Sequence, residues 1–94
     1  MSAPVVEAGE AFNLTATGNV GAAGRDMTMI GFYVNSTSSG TLVFRRGGSG
    51  GTAMTGTITP SVGWNYLPVC APGGLHVTVG GTIDVTVVAL AGQA

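Results

Sequence analysis

The stretch Leu75-His76-Val77-Thr78-Val79-Gly80-Gly81-Thr82-Ile83-Asp84-Val85-Thr86-Val87-Val88-Ala89-Leu90 decides the fold class. Apolar side chains stand at Leu75, Val77, Val79, Ile83, Val85 and Val87, with His76, Thr78, Asp84 and Thr86 between them. An alternation of period two is the signature of a strand with one buried face. The glycine pair in the middle reads as a hairpin turn between two strands, Leu75–Val79 and Thr82–Leu90. A two-residue loop would set Val79 against Thr82 and Val77 against Asp84, mixing polar and apolar residues on one face. A three-residue loop, Gly80–Thr82, pairs Val79 with Ile83, Val77 with Val85 and Leu75 with Val87. Register follows the buried pattern, so the three-residue turn is expected.

The same reading extends toward the N-terminus. Ala11–Gly18 alternates Phe12, Leu14 and Ala16 against Asn13, Thr15 and Thr17. Asp26–Val34 sets Ile30, Phe32 and Val34 on one face and Met27, Met29 and Tyr33 on the other. Apolar residues on both faces suggest that the second is covered by another subunit. Asn35–Gly40 reads as a polar turn, Thr41–Arg46 as a strand and Gly47–Gly51 as a flexible loop. Thr52–Thr59 and Gly63–Val69 complete the strands, with Pro4–Ala8 as a first edge strand because Pro4 cannot donate to a ladder. Seventeen glycines spread through 94 residues leave no room for a helix. The expectation is an all-β, antiparallel β-sandwich of about eight short strands, with jelly-roll-like or Greek-key connections. Residues 1–10 form an N-terminal arm or edge strand and residues 11–94 the sandwich.

Composition narrows the function. Charged residues make up 7% of the chain, against about 25% in an ordinary globular protein. Lysine is absent, and the formal net charge is −1. A domain this small has a thin core and recovers stability from disulfides, metals or association. Cys70 is the single cysteine and His76 the single histidine, so association is what remains. Three arginines do not make a basic stripe, which argues against nucleic acid. A lone Arg45-Arg46-Gly47-Gly48 element does not change that; the two arginines read better as contacts to a carboxylate on a partner. No apolar run reaches the roughly 18–20 residues of a membrane span, and no signal peptide is visible. Synthesis in a cytoplasm is expected, and no cofactor.

The stretch from Gly40 to Ala89 (GTLVFRRGGSGGTAMTGTITPSVGWNYLPVCAPGGLHVTVGGTIDVTVVA) carries a further signal. Its GTL strand, glycine loop, GxITP, GWNxLP-like strand and GLxVTVGGTIDVTVV ending resemble small β-sandwich proteins encoded among the virion genes of tailed bacteriophages. That resemblance implies a head decoration (cement) protein or a fibre module. Its partners would then be further copies of itself, as a homotrimer, and the major capsid protein, at the capsid surface.

Several motifs have a chemical and a structural reading. His76 and Asp84 would be diagonal neighbours on the exposed face of the last hairpin. No serine among Ser36, Ser38 and Ser39 lies in a G-x-S-x-G setting, so the pair reads as surface polarity and the chain as no enzyme. Cys70 reads as a small buried hydrophobe. Asn13-Leu14-Thr15 and Asn35-Ser36-Thr37 match glycosylation sequons by accident of composition. Trp64 and Tyr66 share a face; Trp64 reads first as a core anchor, then as an interface residue, then as a platform for a sugar ring. The interface is expected to use Met27, Met29, Tyr33, Arg45 and Arg46. The alternative function is a receptor- or carbohydrate-binding module of a tail fibre.

Overall fold

The computed structural model describes residues 10–22 and 24–91, so the expected strand Pro4–Ala8 and most of the N-terminal arm lie outside the described residues. The fold is all-β and antiparallel, with six strands rather than about eight. They are β1 (Glu10–Leu14), β2 (Gly18–Val20), β3 (Met27–Arg46), β4 (Thr52–Ala53), β5 (Gly63–Ala71) and β6 (Leu75–Ala91).

One expected strand lies outside the described residues, two expected turns are not turns and so merge four strands into two, and β2 is an added strand where the expected strand Ala11–Gly18 ends. β3 runs straight through Asn35–Gly40, and β6 runs straight through Gly80–Thr82. These two long strands pair along their whole length, from Met27↔Ala91 to Arg46↔Leu75. The polar tract of β3 lies against the glycine pair of β6, with Ser36 opposite Asp84, Thr37 opposite Ile83 and Thr41 opposite Gly80. Gly81 does not reverse the chain. It takes a positive φ of 67°, and a Cβ there would sit 2.6 Å from the Ser39 carbonyl oxygen. Its lack of a side chain lets the two backbones approach where both bend.

β3 has 20 residues opposite 17 in β6. The three extra residues are Ile30, Asn35 and one of Ser38 and Ser39, at the three places where the register shifts. Each is a bulge, which bends the strand and sharpens its twist. A straight 20-residue strand would be about 63 Å long, yet the longest extent of the molecule is 47 Å. The Phe32 and Phe44 rings, twelve residues apart on one strand, lie 5.1 Å apart between centroids. Straight spacing would separate them by about 40 Å. The ribbon is therefore folded over, and the buried sides of its two halves meet.

Bulges also change which residues face inward. Ile30 is skipped, so Met27 and Met29 point the same way as Phe32 and Val34, and all four are buried. The expectation that Met27 and Met29 face outward beside Tyr33 is corrected: an even alternation carried through a bulge assigns the wrong face on one side of it. On β6 the buried positions keep one parity on both sides of the bend, Leu75 and Val77 before it and Ile83, Val85, Val87 and Ala89 after it, while Val79 is half-buried and Gly81 exposed.

The shorter strands line this ribbon. β1 pairs with the C-terminal half of β6 and β2 with its N-terminal half, while β5 pairs with the N-terminal half of β3. β4 pairs with the end of β3 at Arg45 and Arg46. The expected strand Thr52–Thr59 is mostly irregular; beyond β4 it touches β3 through reciprocal Leu42–Ile58 backbone bonds of 2.9 Å. One half is thus ordered β1-β6-β3-β5 and the other β2-β6-β3-β4. The free ends of the ribbon are joined through loops, where Gly47 N donates to Gly74 O and Gly73 N to the Asp26 carboxylate.

Gly81→Ala adds a side chain in the left-handed region and against the Ser39 carbonyl. It is expected to lower unfolding free energy in urea by roughly 2–4 kcal/mol. Gly50→Ala, where a Cβ meets nothing within 4 Å, is the control and stays within about 0.5 kcal/mol of the parent.

Candidate functional site

The outer face of the β1-β6-β3-β5 half carries a row of side chains running across four strands. Asn13 on β1 stands opposite Thr86 on β6, Thr86 opposite Tyr33 on β3, and Tyr33 opposite Trp64 on β5. Neighbouring strands lie about 4.8 Å apart, so the row is about 14 Å long. Tyr66 follows two residues beyond Trp64 on the same face. Tyr33 is 45% exposed, Trp64 48% and Tyr66 71%.

Trp64 is not a core anchor. Its ring lies across β3 at Gly31: a Cβ there would be 2.8 and 2.9 Å from the indole Cζ2 and Cη2. A larger residue there would press first on the Asn65 carbonyl oxygen of β5 and then on the indole. One side of the indole is thus packed on backbone while about half of the residue stays open to solvent.

At the other end of the row, four polar side chains hold one another. Asn13 Nδ2 donates to Asp84 Oδ1 (2.6 Å) and lies 3.4 Å from Thr86 Oγ1. Asn35 Nδ2 donates to Asp84 Oδ1 (3.1 Å) and to Thr86 Oγ1 (2.9 Å). Asn35 reaches them because it is one of the bulged residues. The Asn13 amide, then the Asn35 amide, hold the Asp84 carboxyl below its ordinary value, since both donate to the charged form.

The remaining sequence candidates lie elsewhere. His76 shares the outer side of β6 with Asp84 but stands eight residues away, about 26 Å along the strand. The expected diagonal pair does not form, because no hairpin brings the two together. His76 is buried, and its Nδ1–H donates to Asn19 Oδ1 (2.9 Å). Burial, and then the Arg45 charge, lower its pKa. Arg45 is tied down, donating from Nε to Thr78 Oγ1 (3.0 Å) and from Nη1 to the Gly51 carbonyl (3.4 Å). Arg46 is exposed. Of the five expected interface residues, only Tyr33 belongs to the row. Met27 and Met29 are core, and Arg45 and Arg46 lie at the far end of β3. Cys70, expected to be buried, is exposed on β5, where the Thr28 hydroxyl lies 3.8 Å from its sulfur. Among the described residues, no group of three His, Cys, Asp or Glu side chains is placed to hold a metal ion.

The sequence reading put Trp64 in the core first, with interface and sugar platform behind it, and although it set Asn13 and Thr86 on polar faces it gave neither them nor Asn35 a place in a site. The signal for Trp64 was in its own strand, where Trp64 and Tyr66 alternate against Leu67 and Val69 with Pro68 between them. Proline inside a strand marks an edge or a bulge. Comparison with protein-family models, with curated proteins and with solved structures gives no match.

Acid should lower the stability of the chain over two pH windows. His76 has a lowered folded pKa, so the unfolded chain takes up its proton first; stability falls as pH drops below about 6.5. Asp84 has a lowered folded pKa too; its contribution is full above about 3.9 and is lost as pH falls through the folded value. Urea midpoints from pH 8 to pH 2 should show both limbs. His76→Gln removes the upper limb and Asp84→Asn the lower.

Proposed function

We propose that this chain is a non-enzymatic structural protein of a bacteriophage virion, a capsid decoration (cement) protein that associates with copies of itself and binds between major capsid subunits. The folded-over ribbon, four strands wide in each half, supports a two-layer β-sandwich of jelly-roll type. The resemblance of Gly40–Ala89 to virion sandwich proteins supports the location, at the capsid surface after synthesis in the host cytoplasm.

The observation that carries the reading is the free edge of β5. Among the described residues, β5 pairs with β3 on one side and with nothing on the other. Its sequence, GWNYLPVCA, contains no charged residue. Soluble proteins usually guard such an edge with lysine, other charge or a covering loop, because it is a template for another strand. Here Pro68 is the single guard. Pairing along that edge extends the sheet in its own plane and adds buried area that a small core lacks. Once assembled, a protein that binds only the closed capsid lattice stabilises that lattice by mass action. The exposed Arg46, at the opposite end of β3, is suited to a carboxylate on the capsid partner.

A second reading, a receptor- or carbohydrate-binding module, is favoured by one observation: Trp64 lies open on the sheet rather than in the core.

Sedimentation and light scattering should give the mass of a small oligomer, a trimer on the resemblance. Cys70→Lys places a charge on the β5 edge and should shift that mass to one chain with little change in the urea midpoint. Wild-type protein should co-sediment with emptied heads of its own virus and raise the temperature at which they burst. A stable monomer that leaves the heads unaffected would overturn the proposal.

A further inference from the structure

We infer that the row Asn13–Thr86–Tyr33–Trp64, with Asn35, Asp84 and Tyr66 beside it, is a saccharide-binding site. The inference rests on the second reading above, and it holds whether or not the chain also coats a capsid. Pairing along the β5 edge is in the plane of the sheet, so it leaves the outer face open.

The hydrogen-bond inventory identifies the ligand. Both asparagines spend their Nδ2 groups inward, on Asp84 and Thr86 and, for Asn13, on the Val85 carbonyl (3.3 Å). Among the described residues, neither amide oxygen is bonded, so both remain acceptors. Asp84 Oδ1 takes both amides, which leaves Oδ2 as a third acceptor. Thr86 Oγ1 accepts from Asn35 and faces Asn13, so its own hydrogen is turned away as a donor. The cluster is pre-organised, with several acceptors and one donor at fixed positions. A polyhydroxylated ligand matches it, because every sugar hydroxyl can donate and accept.

The aromatic end supplies the other half of saccharide recognition. Sugar rings have an apolar C–H face that packs on a flat aromatic surface. The Cζ2–Cη2 edge of Trp64 packs against Gly31, which restrains the indole before binding and lowers its ordering cost. Tyr33 lies between the indole and the polar cluster, and its hydroxyl adds a further donor and acceptor. A row of about 14 Å accommodates a short oligosaccharide laid across the strands.

Other occupants fit less well. An apolar protein surface would cover the indole but bury the amide oxygens and the Asp84 carboxylate without partners. A phosphate-bearing ligand would meet the Asp84 charge, and the row itself holds no arginine: Arg45 and Arg46 belong to the other half of the folded ribbon and Arg25 to the loop before β3. A metal ion would find a single carboxylate.

Trp64 is the sole tryptophan of the chain, so its fluorescence reports this one ring. The full-length protein is first applied to an array of bacterial surface polysaccharides and animal glycans. The glycan it retains is then titrated while Trp64 emission is followed. A saturable change in emission is expected. Tyr66→Ala, Thr86→Val and Asn35→Ala should each weaken binding by roughly tenfold, as read by calorimetry. Trp64→Ala should abolish binding, and Trp64→Phe should restore part of it. Circular dichroism and the urea midpoint of each variant separate loss of the site from loss of the fold. Glycan binding that survives Trp64→Ala and Thr86→Val would leave the carbohydrate reading standing and remove this site. An array that retains nothing removes both.

Discussion

The contact between Phe32 and Phe44 is what the rest of the structure depends on. Both rings belong to β3, and they can meet only if the strand folds back upon itself. Every other strand takes its place from this one fact. β1 and β2 follow β6 around the bend, and β4 and β5 follow β3. None of the four pairs with another of the four among the described residues, so none has a place without the central ribbon. The fold is thus a single cooperative unit whose defining pairings join residues far apart in the chain. Such topologies fold slowly, because loop closure is opposed by entropy before contacts form.

Bending a ladder this long needs extra residues on the outer path, and β3 supplies them at Ile30, Asn35 and Ser38–Ser39. The same insertions build the outer face. Skipping Ile30 brings Met29 and Phe32 to the core side together, which leaves Gly31 and Tyr33 directed outward. Gly31 then forms the floor on which Trp64 lies. Skipping Asn35 aims its amide across to Asp84 and Thr86. The devices that close the core also set the aromatic and amide ends of the row at fixed distances, and removing a bulge would disturb both.

This explains what the sequence could and could not reveal. The buried face of β6 was legible, because its buried apolar residues keep one parity from Leu75 and Val77 to Ile83, Val85, Val87 and Ala89. The supposed hairpin at Gly80–Gly81 was not distinguishable from a continuous strand. A three-residue turn pairs odd positions with odd positions, so Val79 and Ile83 share a face in either arrangement. The choice was made by a tract some forty residues away, Asn35–Gly40, whose polar residues pair across the bend rather than turning. Met27 and Met29 were assigned outward for a related reason: a bulge reverses parity and has no sequence signature as sharp as a turn. Trp64 was placed in the core because a lone tryptophan in a thin sandwich is valuable there; the space it needs outside is created by Gly31, on another strand. His76 and Asp84 followed the hairpin and separated with it.

The two halves of β3 would recognise by different physics. Around Trp64 and Tyr33 the surface offers flat rings and oriented amides, and its one carboxylate is already held by two N–H donors. Attraction there is short-ranged and depends on shape, so added salt leaves it nearly unchanged. At the other end, Arg46 is a solvent-exposed charge beside the partly immobilised Arg45. Its reach in solution is set by the Debye length, about 10 Å at 0.1 M salt and about 3 Å at 1 M. A chain so poor in charge has little other means of drawing a partner from a distance. Contacts made through the arginines would therefore weaken as salt rises while contacts made through the aromatic row would persist, so salt dependence tells which surface a partner uses.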